Sequence, residues 1–157
     1  MKIKGNKNDK IWESIALLLL AINALIIAVT VPILPDIIPI HFDSTGKVDN
    51  YGSKYILWVL FVIAVFVYSL MTVISFNPGL YKSRMTGNNI EEQYRLTAKM
   101  TRTVKTFVNL FFVIVTVFVL QSVQGKDTEY SLYLFLLSFP LIMIPTLYYV
   151  VKLGKVR

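Results

Sequence analysis

Four stretches of this chain contain no Asp, Glu, Lys or Arg, and they decide what it can fold into. They lie between Glu13 and Asp36, Lys54 and Lys82, Lys105 and Lys126, and Glu129 and Lys152, and they are 22, 27, 20 and 22 residues long. A helix needs about 20 apolar residues to cross the hydrocarbon core of a bilayer, so each stretch is long enough to span. Together they occupy more than half of the 157 residues. Only 16% of the chain is charged and 55% is apolar, whereas a soluble domain carries about 25% charged residues. The chain is therefore expected to be an all-α membrane protein, a single integral domain over residues 1–157. Its core is a four-transmembrane-helix bundle with spans at roughly 15–34, 55–76, 106–123 and 131–151.

The formal net charge of +7 could point to nucleic acid, but the placement of the charge argues against that partner. With alternating spans, thirteen of the sixteen Lys and Arg residues fall on one side. These are in the N-terminal tail, the 77–105 loop and the C-terminus; only Lys47, Lys54 and Lys126 fall on the other. The positive-inside rule then makes both termini and the 77–105 loop cytoplasmic, with the 36–54 and 124–129 loops outside the cell membrane. The basic residues fit anionic membrane lipids as partners. The first apolar stretch is longer than a signal-peptide core and is followed by no A-x-A cleavage pattern, so it reads as a retained helix. The chain has no cysteine, which removes disulfides from consideration.

Along the chain, Pro32, Pro35 and Pro39 end the first span, because proline cannot continue a regular helix. Asn77-Pro78-Gly79 stops the second. Asn88 or Asn89 can cap a helix whose first turn holds Glu91 and Glu92, where the helix dipole favours acids. That helix is expected to run into span three without a break. Arg95, Lys99 and Arg102 recur at i, i+4 and i+7 on it and share a face. They are expected to be solvated, lipid-facing charges whose loss weakens orientation or lipid contact more than folding. Pro140 and Pro145 are expected to kink span four. The span interiors contain no ionisable residue, only groups such as Asn23, Thr30, Tyr68, Thr72, Asn109 and Thr116 that can hold helices together. This disfavours an ion-coupled transporter, which commonly carries a charge within its spans. No motif of catalytic, cofactor-binding or phosphate-binding type is present, so no enzyme activity, cofactor or metal is expected.

The segment between spans one and two is the informative one. Asp43-Ser-Thr-Gly46 places Asp first and Gly last, as a type I turn favours, with β-branched and aromatic residues on both sides. A short extracytoplasmic hairpin is expected here, with Phe42 opposite Lys47, Ile40 opposite Asp49 and Ile38 opposite Tyr51. One face would then hold Ile38, Ile40, Phe42 and Tyr51 against the helices or lipid, with His41 on the other face beside Val48. Asp36, His41, Asp49 and Lys54 are the candidate binding positions. For His41, the only histidine, a structural hydrogen bond, a contact with an extracellular partner and a metal ligand are all conceivable. One imidazole with scattered carboxylates is a poor zinc constellation, and no metal is expected.

The run LPDIIPIHFDSTGKVDNYGSK, set directly between two spans, resembles the N-terminal module of the SdpI-like family of bacterial multipass proteins. The matching positions are Pro35, Pro39, His41, Gly46, Asp49, Gly52 and Lys54, followed by Asn77-Pro78, and the resemblance covers about residues 11–80. That family includes an immunity protein against a secreted toxic peptide. The resemblance implies a cell-membrane protein that binds, or confers immunity or signalling toward, an extracellular peptide or envelope component. The alternative is an accessory subunit of a larger membrane complex, such as an exporter, whose partner is another membrane protein.

Overall fold

A computed structural model describes residues 7–43, 45–77, 80, 85, 89–125 and 129–156. The chain forms α1 (Lys7–Thr30), a single 3-10 turn (Val31–Ile33), strands β1 (Ile37–Phe42) and β2 (Val48–Ser53), and helices α2 (Ile56–Phe76), α3 (Ile90–Val123) and α4 (Glu129–Val156). All four α-helices are long and apolar enough to cross a membrane. This is the expected all-α multipass architecture, with a two-stranded antiparallel sheet as its only strands among the described residues.

α3 is the hub and packs against α1, α2 and α4. At 34 residues it is about 51 Å long, and it joins the predicted loop helix to span three without interruption. Asn89 precedes it in the cap position, but its side chain makes no capping bond. α4 continues as helix through Pro140 and Pro145. α1 and α3 run parallel, since Asp9 and Glu13 meet Arg102 and Lys105 at one end while Ile27 and Val119 share a cluster nearer the other. The start of α1 and the last turns of α4 lie at the same end of the bundle, where Asn8, Lys99 and Tyr149 line one cleft. The hairpin sits at the opposite end.

The packing is inverted relative to a water-soluble protein. Large apolar side chains such as Leu18, Leu25, Val62, Phe66, Ile144 and Leu147 point outward. Inside, polar side chains are buried about as often as apolar ones, among them Asn23, Ser75, Asn109 and Thr116. In lipid, burying more hydrocarbon gains little, so helices associate through polar and small residues instead. At the hairpin end Ile27, Val31, Ile38, Leu57 and Val119 form one buried apolar cluster.

Candidate functional site

The hairpin is built on its turn. Asp43 Oδ1 accepts hydrogen bonds from the Thr45 amide (2.8 Å), the Thr45 hydroxyl (2.7 Å) and the Lys47 amide (3.0 Å). The Gly46 amide donates to the Asp43 carbonyl (3.0 Å), which closes the expected turn. Gly46 then adopts φ +82°, so it serves as an additional loop residue and Asp43 pairs with Lys47, donating its N–H across 2.8 Å. This corrects the expected register. Phe42 lies opposite Val48, His41 opposite Asn50, Pro39 opposite Tyr51 and Ile38 opposite Gly52, with irregularities on both sides of His41. Bulging also changes the faces. Ile38 is fully buried and Phe42 packs inward, but Ile40 and Tyr51 are exposed rather than resting on the helices.

The Thr45 hydroxyl, then the Lys47 and Thr45 amides, hold the Asp43 carboxyl below its ordinary value of 3.8. A depressed carboxylate contributes stability that is complete above the unfolded value and is lost as pH falls through the folded one. The turn should therefore persist on acidification past pH 3.8. A titration following the Thr45 and Gly46 amide resonances is expected to show a midpoint below that value, and Asp43→Asn should abolish the transition.

The four candidate binding residues fall into two pairs. At the hairpin base, Lys54 Nζ lies 2.9 Å from the Leu34 carbonyl oxygen, to which it donates, and 3.2 Å from Asp36 Oδ1. The Lys54 amide also donates to the Asp36 carbonyl (3.0 Å). This clasp ties the end of α1 to the start of α2. On the exposed face, His41 Nδ1 lies 2.5 Å from Asp49 Oδ1, so His41 has a carboxylate partner and, as expected, faces away from the core. Among the described residues no group of three or more His, Cys, Asp or Glu could hold a metal ion.

Beneath the hairpin is a cavity of about 450 Å³, which the sequence did not reveal. Its walls are chiefly apolar, with Phe42, Leu60, Phe118, Leu132 and Phe135 prominent, and His41 and Asp43 stand at its border. Phe42 meets Phe118 at 4.4 Å between ring centroids, and Phe118 stacks on Phe135 at 6.3 Å. Gly46 packs closely against one wall residue: a Cβ there would come 3.1 Å from Leu132. At Gly52 a Cβ would fall 2.6 Å from Ile40 Cδ1, so the missing side chain makes room for a bulged neighbour. Of the remaining motif residues, Pro39 is buried in β1 and Pro35 lies exposed in the link before it. Asn77 ends α2 by donating from its backbone to the Val73 and Ile74 carbonyls. Pro78 lies outside the described residues.

The opposite end holds a second constellation, and it overturns one expectation. Arg102 is not a solvated, lipid-facing charge: it is 2% exposed, and Lys105 is fully buried. Lys105 Nζ contacts Glu13 Oε2 (2.5 Å) and Thr72 Oγ1 (2.8 Å) and lies over the Tyr68 ring. Arg102 pairs with Glu13 Oε1 and Asp9 Oδ1, both at 3.3 Å, and lies over Phe76. The two acids and two bases balance, and aromatic rings of α2 cover them. Arg95 remains exposed and pairs with Glu92, while Lys99 lines the cleft beside Asp9. Arg95 shares the face of Arg102, but it lies about 10 Å further along the axis, beyond the start of α1. What separates the two arginines is the contact with α1: Asp9 and Glu13 lie against Arg102, whereas Arg95 pairs within its own helix. The readable signal was Asp9 and Glu13 at i, i+4 before span one, matched by Arg102 and Lys105 at i, i+3 before span three.

A family model described as a domain of unknown function (DUF1648) matches residues 18–66. That segment runs from within α1 through the hairpin into α2 and contains the Lys54 clasp and the turn. No curated protein and no solved structure matches the chain.

Proposed function

We propose that this chain is a multipass protein of the bacterial cell membrane, of SdpI-like type, with both ends in the cytoplasm and the hairpin outside. It binds an extracellular apolar peptide or envelope component as an immunity or sensing protein, and it is not an enzyme. The observation that carries this reading is the apolar cavity under the hairpin. It lies at the end of the bundle away from the basic chain ends, and its border carries the polar groups His41 and Asp43. An aliphatic or aromatic side chain would bury its surface there while the peptide backbone met the exposed His41–Asp49 pair. Cavities of this size and lining are typical of sites that take small apolar groups.

The test is survival. Expression in a bacterium sensitive to a secreted apolar peptide should raise the dose tolerated. Leu60→Trp, which fills the cavity, should abolish protection while leaving the protein's amount in the membrane unchanged. Equal survival with and without the protein would oppose the reading. Co-purification of a stoichiometric larger partner in mild detergent would favour the accessory-subunit alternative.

A further inference from the structure

Two polar side chains deep in the α1–α3 interface are not satisfied by the protein. Asn23 is 1% exposed, and among the described residues neither its amide nitrogen nor its amide oxygen has a hydrogen-bond partner. Asn109 is 2% exposed; its amide donates to the Lys105 carbonyl (2.9 Å), but its oxygen Oδ1 has no partner. A buried polar group without a partner is costly, and most costly where the surroundings are hydrocarbon. Asn23 is too deeply buried for another protein chain to reach, so whatever satisfies it must be very small.

These residues continue the charge cluster. With α1 and α3 parallel and rising about 1.5 Å per residue, Asn23 lies about 15 Å beyond Glu13, level with the fully buried Thr116. Asn109 lies about 6 Å beyond Lys105 on the same helix face. At the end of the bundle where α1 starts, a cleft of about 110 Å³ opens next to the cluster, lined by Asn8, Asp9, Trp12, Lys99, Thr103 and Tyr149. Since a water molecule needs only about 10–15 Å³ of such space, this mouth accommodates several. On the far side, the Ile27, Val31, Leu57 and Val119 layer, each no more than 6% exposed, closes the column.

We infer that the α1–α3 interface is a hydrated inlet: water enters at the Asp9–Lys99 cleft, passes the Glu13–Lys105 cluster and ends hydrogen-bonded to Asn109 and Asn23, sealed from the hairpin side by the apolar layer. Water is the ligand the chemistry selects, because Asn23 needs a small partner able both to donate and to accept, and Asn109 Oδ1 needs a donor. The inlet gives the buried ion pairs contact with one aqueous phase while the bilayer stays closed.

The absence of cysteine allows a direct test on the full chain in proteoliposomes. Single Asn23→Cys, Asn109→Cys, Ile27→Cys and Val119→Cys variants would be treated with a small methanethiosulfonate, which reacts only with a solvated, ionisable thiol. Cysteines at 23 and 109 are expected to react at least about tenfold faster than those at 27 and 119; equal rates would overturn the inlet. Asn23→Leu supplies a second readout that does not depend on labelling. In a hydrated column it should lower the melting temperature, and a rise would show a dry, orphaned amide and overturn the proposal.

Discussion

Replacing Lys105 with methionine is expected to destabilise the bundle by about 3–5 kcal/mol, the usual consequence of removing one member of a buried ion pair. Methionine matches the lysine stem in length, so packing is largely kept and the loss falls on electrostatics. Glu13 would lose its 2.5 Å partner and leave the cluster with two acids against one base. Arg102→Met should cost a similar amount, since it strands Asp9 as well as Glu13. Arg95→Ala is the control: its side chain is 57% exposed and its pair with Glu92 is a surface one, so the change should stay within about 0.5 kcal/mol. The decisive variant is the double replacement Glu13→Leu with Lys105→Met. It restores charge balance, leaves Asp9 with Arg102, and should recover more than half of the single-variant loss. Thermal unfolding of the purified protein in detergent reports this through Trp12, which packs against Phe107 on α3. Equal melting temperatures for Lys105→Met and Arg95→Ala would show that the cluster carries no weight in the fold.

The contrast between Arg95 and Arg102 marks the limit of what could be read from the amino-acid order. Charge-free lengths and turn chemistry are local properties, and they located the four helices, the continuous α3, the turn at Asp43–Gly46 and the ends of α1 and α2. Burial of a residue near a helix end depends on how far the adjacent helix extends, and nothing local to Arg102 records where α1 begins. The first charge-free stretch starts after Glu13, but α1 starts at Lys7, and those additional residues, about two turns, carry Asp9 and Glu13 onto the bases of α3. The hairpin shows the same division on a smaller scale. Asp43 and Gly46 specified the turn, but whether Gly46 or Lys47 faces Asp43 depended on the glycine's positive φ, and the shifted register together with the bulge around His41 left Tyr51 and Ile40 on the outside. The cavity was hidden for a third reason: Phe42, Leu60, Phe118 and Leu132 come from four separate elements that only the completed packing brings together.

Phe118 is where hairpin and bundle depend on one another most, and Phe118→Ala is expected to cost about 3 kcal/mol, at the lower end for a buried phenylalanine. The ring is 6% exposed and bridges Phe42 of β1 to Phe135 of α4, the first contact tilted and the second stacked. Such aromatic pairs contribute about 0.5–1.5 kcal/mol beyond the area they bury, and both are lost together. The vacated volume joins the 450 Å³ cavity already present, so neighbours that would otherwise collapse into it face a still larger space. The hairpin should then loosen from the helices. Since the turn retains its own hydrogen bonds through Asp43, it should move as a unit rather than unravel. Trypsin cleavage after the exposed Lys47 reads that loosening directly, and it should accelerate in Phe118→Ala at temperatures where the helices remain folded. Val117→Ala, one residue away but 37% exposed, should leave both melting temperature and cleavage rate nearly unchanged. If the two variants behaved alike, the hairpin would be held by the Lys54 clasp and the Ile38 contacts alone, and the aromatic bridge would be incidental to its position.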